Sequence, residues 1–219
     1  MATQQELQNL IHRFIRDIEN LQSIVKKDYL TVNSDLEKQA NNASEQEYNR
    51  LIEIYSSEND DISALLDKSQ EVGLEKYLLL KVMRYRNLAN WICNVIEIWE
   101  QQMYLLYSEI KQDGRKFNNF NQLVKEIEDL GLQICGMIEY HNLENKRLLV
   151  NVIKHSEGTS EEKLRNECPK YFDNSTELFG DMDNLKTYKT SLGEVALNIT
   201  EEDFDETCFQ IIDFWKAIL

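Results

Sequence analysis

The sequence predicts an all-α protein: a helical bundle built on a long central helix, with a small C-terminal β-hairpin. Three observations carry this. Proline occurs once, at Pro169, and glycine seven times in 219 residues. Helices need both to be scarce, because proline lacks the N–H and glycine costs backbone entropy. Apolar residues recur at spacings of three and four through most of the chain. The composition, 42% hydrophobic and 29% charged, is that of a folded chain long enough to bury one core. With no internal repeat and no low-complexity linker, residues 1–219 read as a single helical domain.

The elements follow in order. Leu7, Leu10, Ile11, Phe14, Ile18, Leu21 and Val25 form the apolar stripe of a first helix. Over 35–70, Tyr48, Leu51, Ile52, Tyr55, Ile62, Leu65 and Leu66 keep helical spacing, with an interruption expected at Ser56–Asn59. Residues 1–70 are thus N-terminal helices. From Leu74 to Lys111 the apolar stripe is broader than one core-facing side requires, with Trp91, Trp99 and Tyr104 prominent. A helix with that girth is central in its domain or lies at a subunit interface. Asp113-Gly114 supplies a left-handed stop for it.

A shorter helix is expected over 118–130. Gly131 and Gly136 then flank an apolar piece that continues helical with a bend, and 141–157 forms the next helix, stopped at Gly158. Thr159-Ser160-Glu161-Glu162 reads as a capping box with Thr159 as N-cap, and Pro169 ends that helix. Val195, Leu197 and Ile199 alternate with polar or small neighbours, a half-buried strand whose partner is expected over 185–190. Thr200-Glu201-Glu202-Asp203 is a second capping box, opening a last helix with Phe204, Cys208, Ile211, Ile212, Trp215 and Ile218 on one side.

The formal charge of −15 argues against non-specific nucleic-acid binding, DNA included, and against docking on anionic membranes. The chain opens without a basic segment and apolar run, and no apolar run approaches the 18 residues of a membrane span. The expected location is the cytoplasm. Cys93, Cys135, Cys168 and Cys208 are widely spaced with no CxxC pair, so zinc is not expected. Cys93 and Cys135 fall in apolar helical runs and are expected to be buried. HExxH, HxH, HxxxH and ExxH are all absent, as are phosphate-binding glycine loops, so neither metal nor cofactor is expected. Asp181-Met-Asp183 is a weak metal candidate of a kind common in acidic chains, and His12, beside Arg13 and Arg16, suits an exposed or capping role.

One segment has a chemical pattern. Arg147, Asn151, Lys154 and His155 lie at i, i+4, i+7 and i+8, one face of a helix anchored by Leu148, Leu149, Val152 and Ile153. Between 141 and 158, Lys146, Arg147 and Lys154 stand against only Glu144 and Glu157, a basic stretch in an acidic chain. Histidine passes protons near neutral pH. Arginine and lysine stabilise the extra charge on a pentacoordinate phosphorus. Asparagine orients the histidine or binds a ribose hydroxyl. The alternative is structural: lysine and histidine in a last helical turn oppose the negative end of the dipole, and Arg147 and Asn151 are simply solvated.

Asn151-Val-Ile-Lys-His155 followed by Gly158 resembles the polar motif of the HEPN superfamily, small all-α domains. Arg84-Tyr-Arg86-Asn87, leading into a helix with Glu97 and Glu100, is similar to a first core helix of such proteins. Leu164, Cys168-Pro169 and Tyr171-Phe172 extend the likeness, which covers roughly 74–219. The family places an arginine directly before the polar residue; here that position is Val150, and Arg147 lies one turn earlier on the same face. The resemblance implies a homodimer, here through the 74–111 helix, with two motif helices facing one composite cleft. It also implies a metal-independent endoribonuclease of toxin–antitoxin or antiviral defence systems, acting on RNA. His155 would be the general acid or base, Asn151 its polar partner, and Arg147 and Lys154 the charge stabilisers. The alternative implied by inactive family members is a protein–protein interaction subunit, such as a scaffold, sensor or antitoxin-like protein.

Overall fold

The computed structural model of the protein describes residues 3–30, 35–55, 62–155, 158–172 and 197–219. Seven α-helices run through them: α1 (Gln4–Ile24), α2 (Leu36–Tyr55), α3 (Ile62–Lys111), α4 (Phe120–Asp129), α5 (Ile138–His155), α6 (Thr159–Glu167) and α7 (Glu201–Ile218). A π-helical turn, Val25–Leu30, extends α1, and 3₁₀ turns occupy Ile134–Gly136 and Pro169–Phe172. The all-α expectation holds among the described residues, and none of the helices there is long and apolar enough to cross a membrane.

Four helices make the body. α3 and α7 run parallel at its centre, linked by Arg84 to Glu201 at one end and by the Trp215 indole N–H to Gln102 Oε1 (2.7 Å) further along. α1 and α5 run antiparallel to them on the two flanks and do not touch each other. Aromatic rings fill the centre. Trp99 is fully buried, 5.2 Å from Phe120 and 5.5 Å from Phe214, and Phe14 sits 4.9 Å from Trp215. Gln102 satisfies its buried amide at both ends, since its N–H also donates to the Phe14 carbonyl at 3.3 Å. One side chain thus ties α1, α3 and α7 in a single register, as a buried amide requires.

The first half of α3 leaves this body. It pairs there with α2, which packs on no other element among the described residues. The two form an antiparallel arm with a small-residue seam. A methyl at Gly73 would stand 3.0 Å from Ser44 Cβ and 3.2 Å from the Ala40 carbonyl, so glycine lets the helices approach this closely without displacement.

Several boundaries differ from the sequence reading. α3 begins at Ile62 rather than near 74, and its left-handed stop falls on Gln112 (φ 54°), ahead of Gly114. The Gln112 N–H still bonds the Ser108 carbonyl at 2.8 Å, closing the last turn. The piece after Gly131 is not a bent helix: Ile134–Gly136 form a 3₁₀ turn and α5 begins at Ile138. The expected Thr159 capping box is absent: Thr159 is already helical and Gly158, at φ 148°, is the N-cap. Only glycine holds that backbone without strain, which shifts the start by one residue. The Thr200–Asp203 box forms as expected, and a further one, Thr3 with Glu6, opens α1. Cys135 is exposed rather than buried, because it sits in the 3₁₀ turn, while Cys93 is buried.

Of the β-hairpin expected over 185–199, only residues 197–199 lie within the described residues, and they form no strand. The Asn198 N–H goes to the Tyr171 carbonyl (2.8 Å) and the Ile199 N–H to the Leu197 carbonyl (3.0 Å). Leu197 and Ile199 are buried as the alternation suggests, but in an irregular segment that leads into the α7 cap. The interruption at Ser56–Asn59 and the Asp181/Asp183 pair lie outside the described residues.

Candidate functional site

Helix α5 is held by Tyr140, Leu143, Leu149, Val150, Val152 and Ile153, all buried against the body. This anchoring turns Arg147, Asn151, Lys154 and His155 along the edge facing solvent and α3. Val150, where the resembled motif has arginine, is 5% exposed and belongs to the core. An arginine there would have to be buried, so on this helix the polar face passes directly from 147 to 151.

The four residues divide into two pairs. Arg147 is enclosed: its Nε donates to Glu100 Oε1 at 2.6 Å, its NH1 to Glu144 Oε1 at 2.7 Å, and its guanidinium lies 4.2 Å from the centre of the Phe120 ring. Its side chain is 19% exposed. Burial works against its charge, but the hydrogen bonds it donates to Glu100 and Glu144 outweigh burial and raise its pKa above the ordinary arginine value. Lys154 pairs with Glu97, one α3 turn from Glu100. Asn151 and His155, in contrast, are exposed, and no hydrogen bond or ion pair reaches either among the described residues. The arrangement therefore offers an imidazole and an amide one turn apart, beside two cations already engaged by three carboxylates.

Among the described residues no protein nucleophile completes the site. Cys93 lies near Lys154 and Glu97, but burial pushes its thiol up to about 11, which leaves it protonated and unreactive. Among the described residues no group of three or more His, Cys, Asp or Glu could hold a metal ion. His12 is exposed on α1, and His141 is exposed near the start of α5.

Lys146 corrects the charge reading of this segment. The sequence counts it with the basic stretch, yet it is 4% exposed and points to the opposite side of α5. There its ammonium donates to the Tyr171 hydroxyl (2.9 Å) and Glu206 Oε2 (2.8 Å). Lys170 closes the network on Asp203 (2.9 Å) and Glu206 (3.2 Å). Burial drives the Tyr171 hydroxyl far above its ordinary pKa, so it remains a neutral hydrogen-bonding group. Sequence reasoning missed this cluster, as it missed Glu144 and Phe120 as partners of Arg147. Periodicity marks which face a residue occupies but not which distant carboxylate meets it.

In comparisons with protein-family models, curated proteins and solved structures, nothing matches this chain.

Proposed function

We propose that this protein is a HEPN-like helical interaction subunit of the cytoplasm, of the scaffold, sensor or antitoxin kind, in which the motif helix is not catalytic. The enclosure of Arg147 carries this reading. Phosphodiester cleavage needs cations free to meet the charge that develops on phosphorus. Here Arg147 would have to leave two carboxylates and an aromatic ring, and Lys154 would have to leave Glu97. With the chain at −15, a polyanion gains little by approaching. The expected outcome is that purified protein leaves RNA intact in EDTA while forming a complex with a protein partner that survives gel filtration.

A second reading has its own support, the exposure of Asn151 and His155 on one face. In it two α5 helices face each other across a homodimer and cleave RNA without metal. His155 transfers the proton, Asn151 orients it, and Arg147 and Lys154 stabilise charge. RNA cleavage in EDTA that disappears in His155→Ala would establish this reading and overturn the first.

A further inference from the structure

The arm carries an uncovered face, and that face is complementary to itself. The stripe of α3 that takes Tyr85, Leu88, Ile92, Trp99 and Met103 into the core continues backwards through Leu78 and Leu74. These two lie beyond the body and are 43% and 59% exposed. α2 meets α3 closest at Gly73, and Leu74 stands at the edge of the groove between the two helices, beside Ala40 and Ser44, so α2 borders the stripe and leaves both leucines exposed. One turn before the leucines stands Glu71, exposed; one turn after stands Lys81, whose ammonium lies 5.0 Å from the Tyr77 ring. Positions 71, 74, 78 and 81 are spaced three, four and three residues apart, a pattern that reads the same in both directions.

That symmetry selects the occupant. A helix of this sequence laid antiparallel on the stripe sets Leu74 of one copy on Leu78 of the other. The same register sets Glu71 opposite Lys81, twice, about a two-fold axis. A two-fold interface requires a patch that is its own complement, with apolar residues at its centre and opposite charges at its edges. We infer that the protein self-associates through residues 71–81 of α3, a second copy docking antiparallel on the Leu74–Leu78 stripe with reciprocal Glu71–Lys81 pairs. This rests on the interaction reading above and names one of its partners as a second copy of the chain. It also moves the interface away from the Trp99 region of the long helix, which the protein's own core already covers. The contact spans about 15 Å of helix. It belongs to the small, transient class of interfaces, with a dissociation constant on the order of 10 µM.

Sedimentation equilibrium on the full chain over roughly 1–200 µM tests this. The wild type is expected to pass from monomer to dimer. A Leu74→Ser/Leu78→Ser variant, altered only at exposed positions, is expected to stay monomeric. Glu71→Lys or Lys81→Glu alone should weaken dimerisation about tenfold, since each puts like charges together at both ends of the contact. Glu71→Lys with Lys81→Glu should restore it, because the pairs re-form with signs exchanged. A wild type that remains monomeric, a double serine variant that still dimerises, or a double reversal as weak as the singles would each overturn the proposal. A monomeric wild type that still binds another protein removes the second copy and leaves the interaction reading standing. RNA cleavage lost in His155→Ala removes that reading whatever the oligomeric state.

Discussion

The two halves of α3 share one unbroken helix of 50 residues and differ in almost everything else. From Tyr85 onward its apolar stripe is enclosed by α1, α5 and α7, and Trp99 and Met103 have no exposed surface. Before that point, among the described residues, the helix packs on α2 alone apart from the Arg84–Glu201 pair at the border, and it shows Ile62, Leu66, Leu74, Leu78, Leu79 and Met83 to solvent at 43–65% exposure. Helical hydrogen bonding is continuous across the border, so the border is invisible in secondary structure. It is a difference in tertiary burial, and burial supplies most of a helix's stability. The body is expected to unfold as one cooperative unit, and the arm to open at a smaller cost.

The sharpest test compares two truncations on this one helix. Trp99→Ala empties a site lined by Phe120, Tyr140 and Phe214 and should cost about 3–5 kcal/mol in urea unfolding. No hydrogen bond is lost among the described residues, since the Trp99 indole N–H has no partner there, so the cost reports packing alone. Leu78→Ala, on the same stripe in the arm, should cost no more than about 0.5 kcal/mol. Equal costs would break the distinction and show that the arm belongs to the cooperative core.

What was legible in the sequence divides along another line, between periodic or local features and contacts made across the fold. Phe14, Ile18, Leu88, Ile92 and Trp215 could be placed in the core from spacing alone, because burial of a helix face is a periodic property. The Thr200 cap was legible because its partner Asp203 is three residues away. Thr159 failed for an equally local reason: Gly158 could take a backbone angle that threonine could not, and so won the N-cap. The candidate face was legible as a face, and the exposure of Asn151 and His155 follows from it. The state of Arg147 was not, because Glu100 is far along the chain and Phe120 sits on another helix. Lys146 shows the limit most clearly, since it is adjacent in sequence to a residue on the solvent edge yet buried against Glu206 and Tyr171.

Lys146 also provides the next test, of intermediate size and confined to the body. Lys146→Ala leaves Tyr171 without its donor and Glu206 with Lys170 alone, and should cost about 1–3 kcal/mol, less than breaking a fully buried pair because Glu206 is half exposed. Lys146→Met keeps the packing and should cost less than Lys146→Ala. The network also sets a pH dependence. Burial pushes the Asp203 and Glu206 carboxyls up, but Lys170, the Thr200 cap and Lys146 outweigh it and hold both below the ordinary carboxylate range. A carboxyl depressed in the folded state adds stability above its unfolded pKa and loses it as pH falls through the folded value. Body stability should therefore decline from about pH 5 downwards, and Lys170→Met should flatten that decline. A stability unchanged between about pH 5 and 3 would show that these pairs do not hold α7 to the 169–172 turn.

The smallest effect should appear in the arm alone. Gly73→Ala adds a methyl 3.0 Å from Ser44 Cβ and 3.2 Å from the Ala40 carbonyl, so α2 must move away by a few tenths of an ångström. Against this, alanine favours the helix over glycine by up to about 1 kcal/mol. The two terms nearly cancel, and global unfolding should shift by less than about 0.5 kcal/mol. Local opening should not be silent. α2 has no other contact among the described residues to hold it, so amide exchange should rise along Leu36–Tyr55 and remain unchanged in α5 and α7. Replacing Ser44 by glycine in the same chain removes the nearer of the two clashes and should recover part of the protection. Exchange that rises equally in α7 would mean the seam is coupled to the body, and the arm could not then serve as an independent docking element.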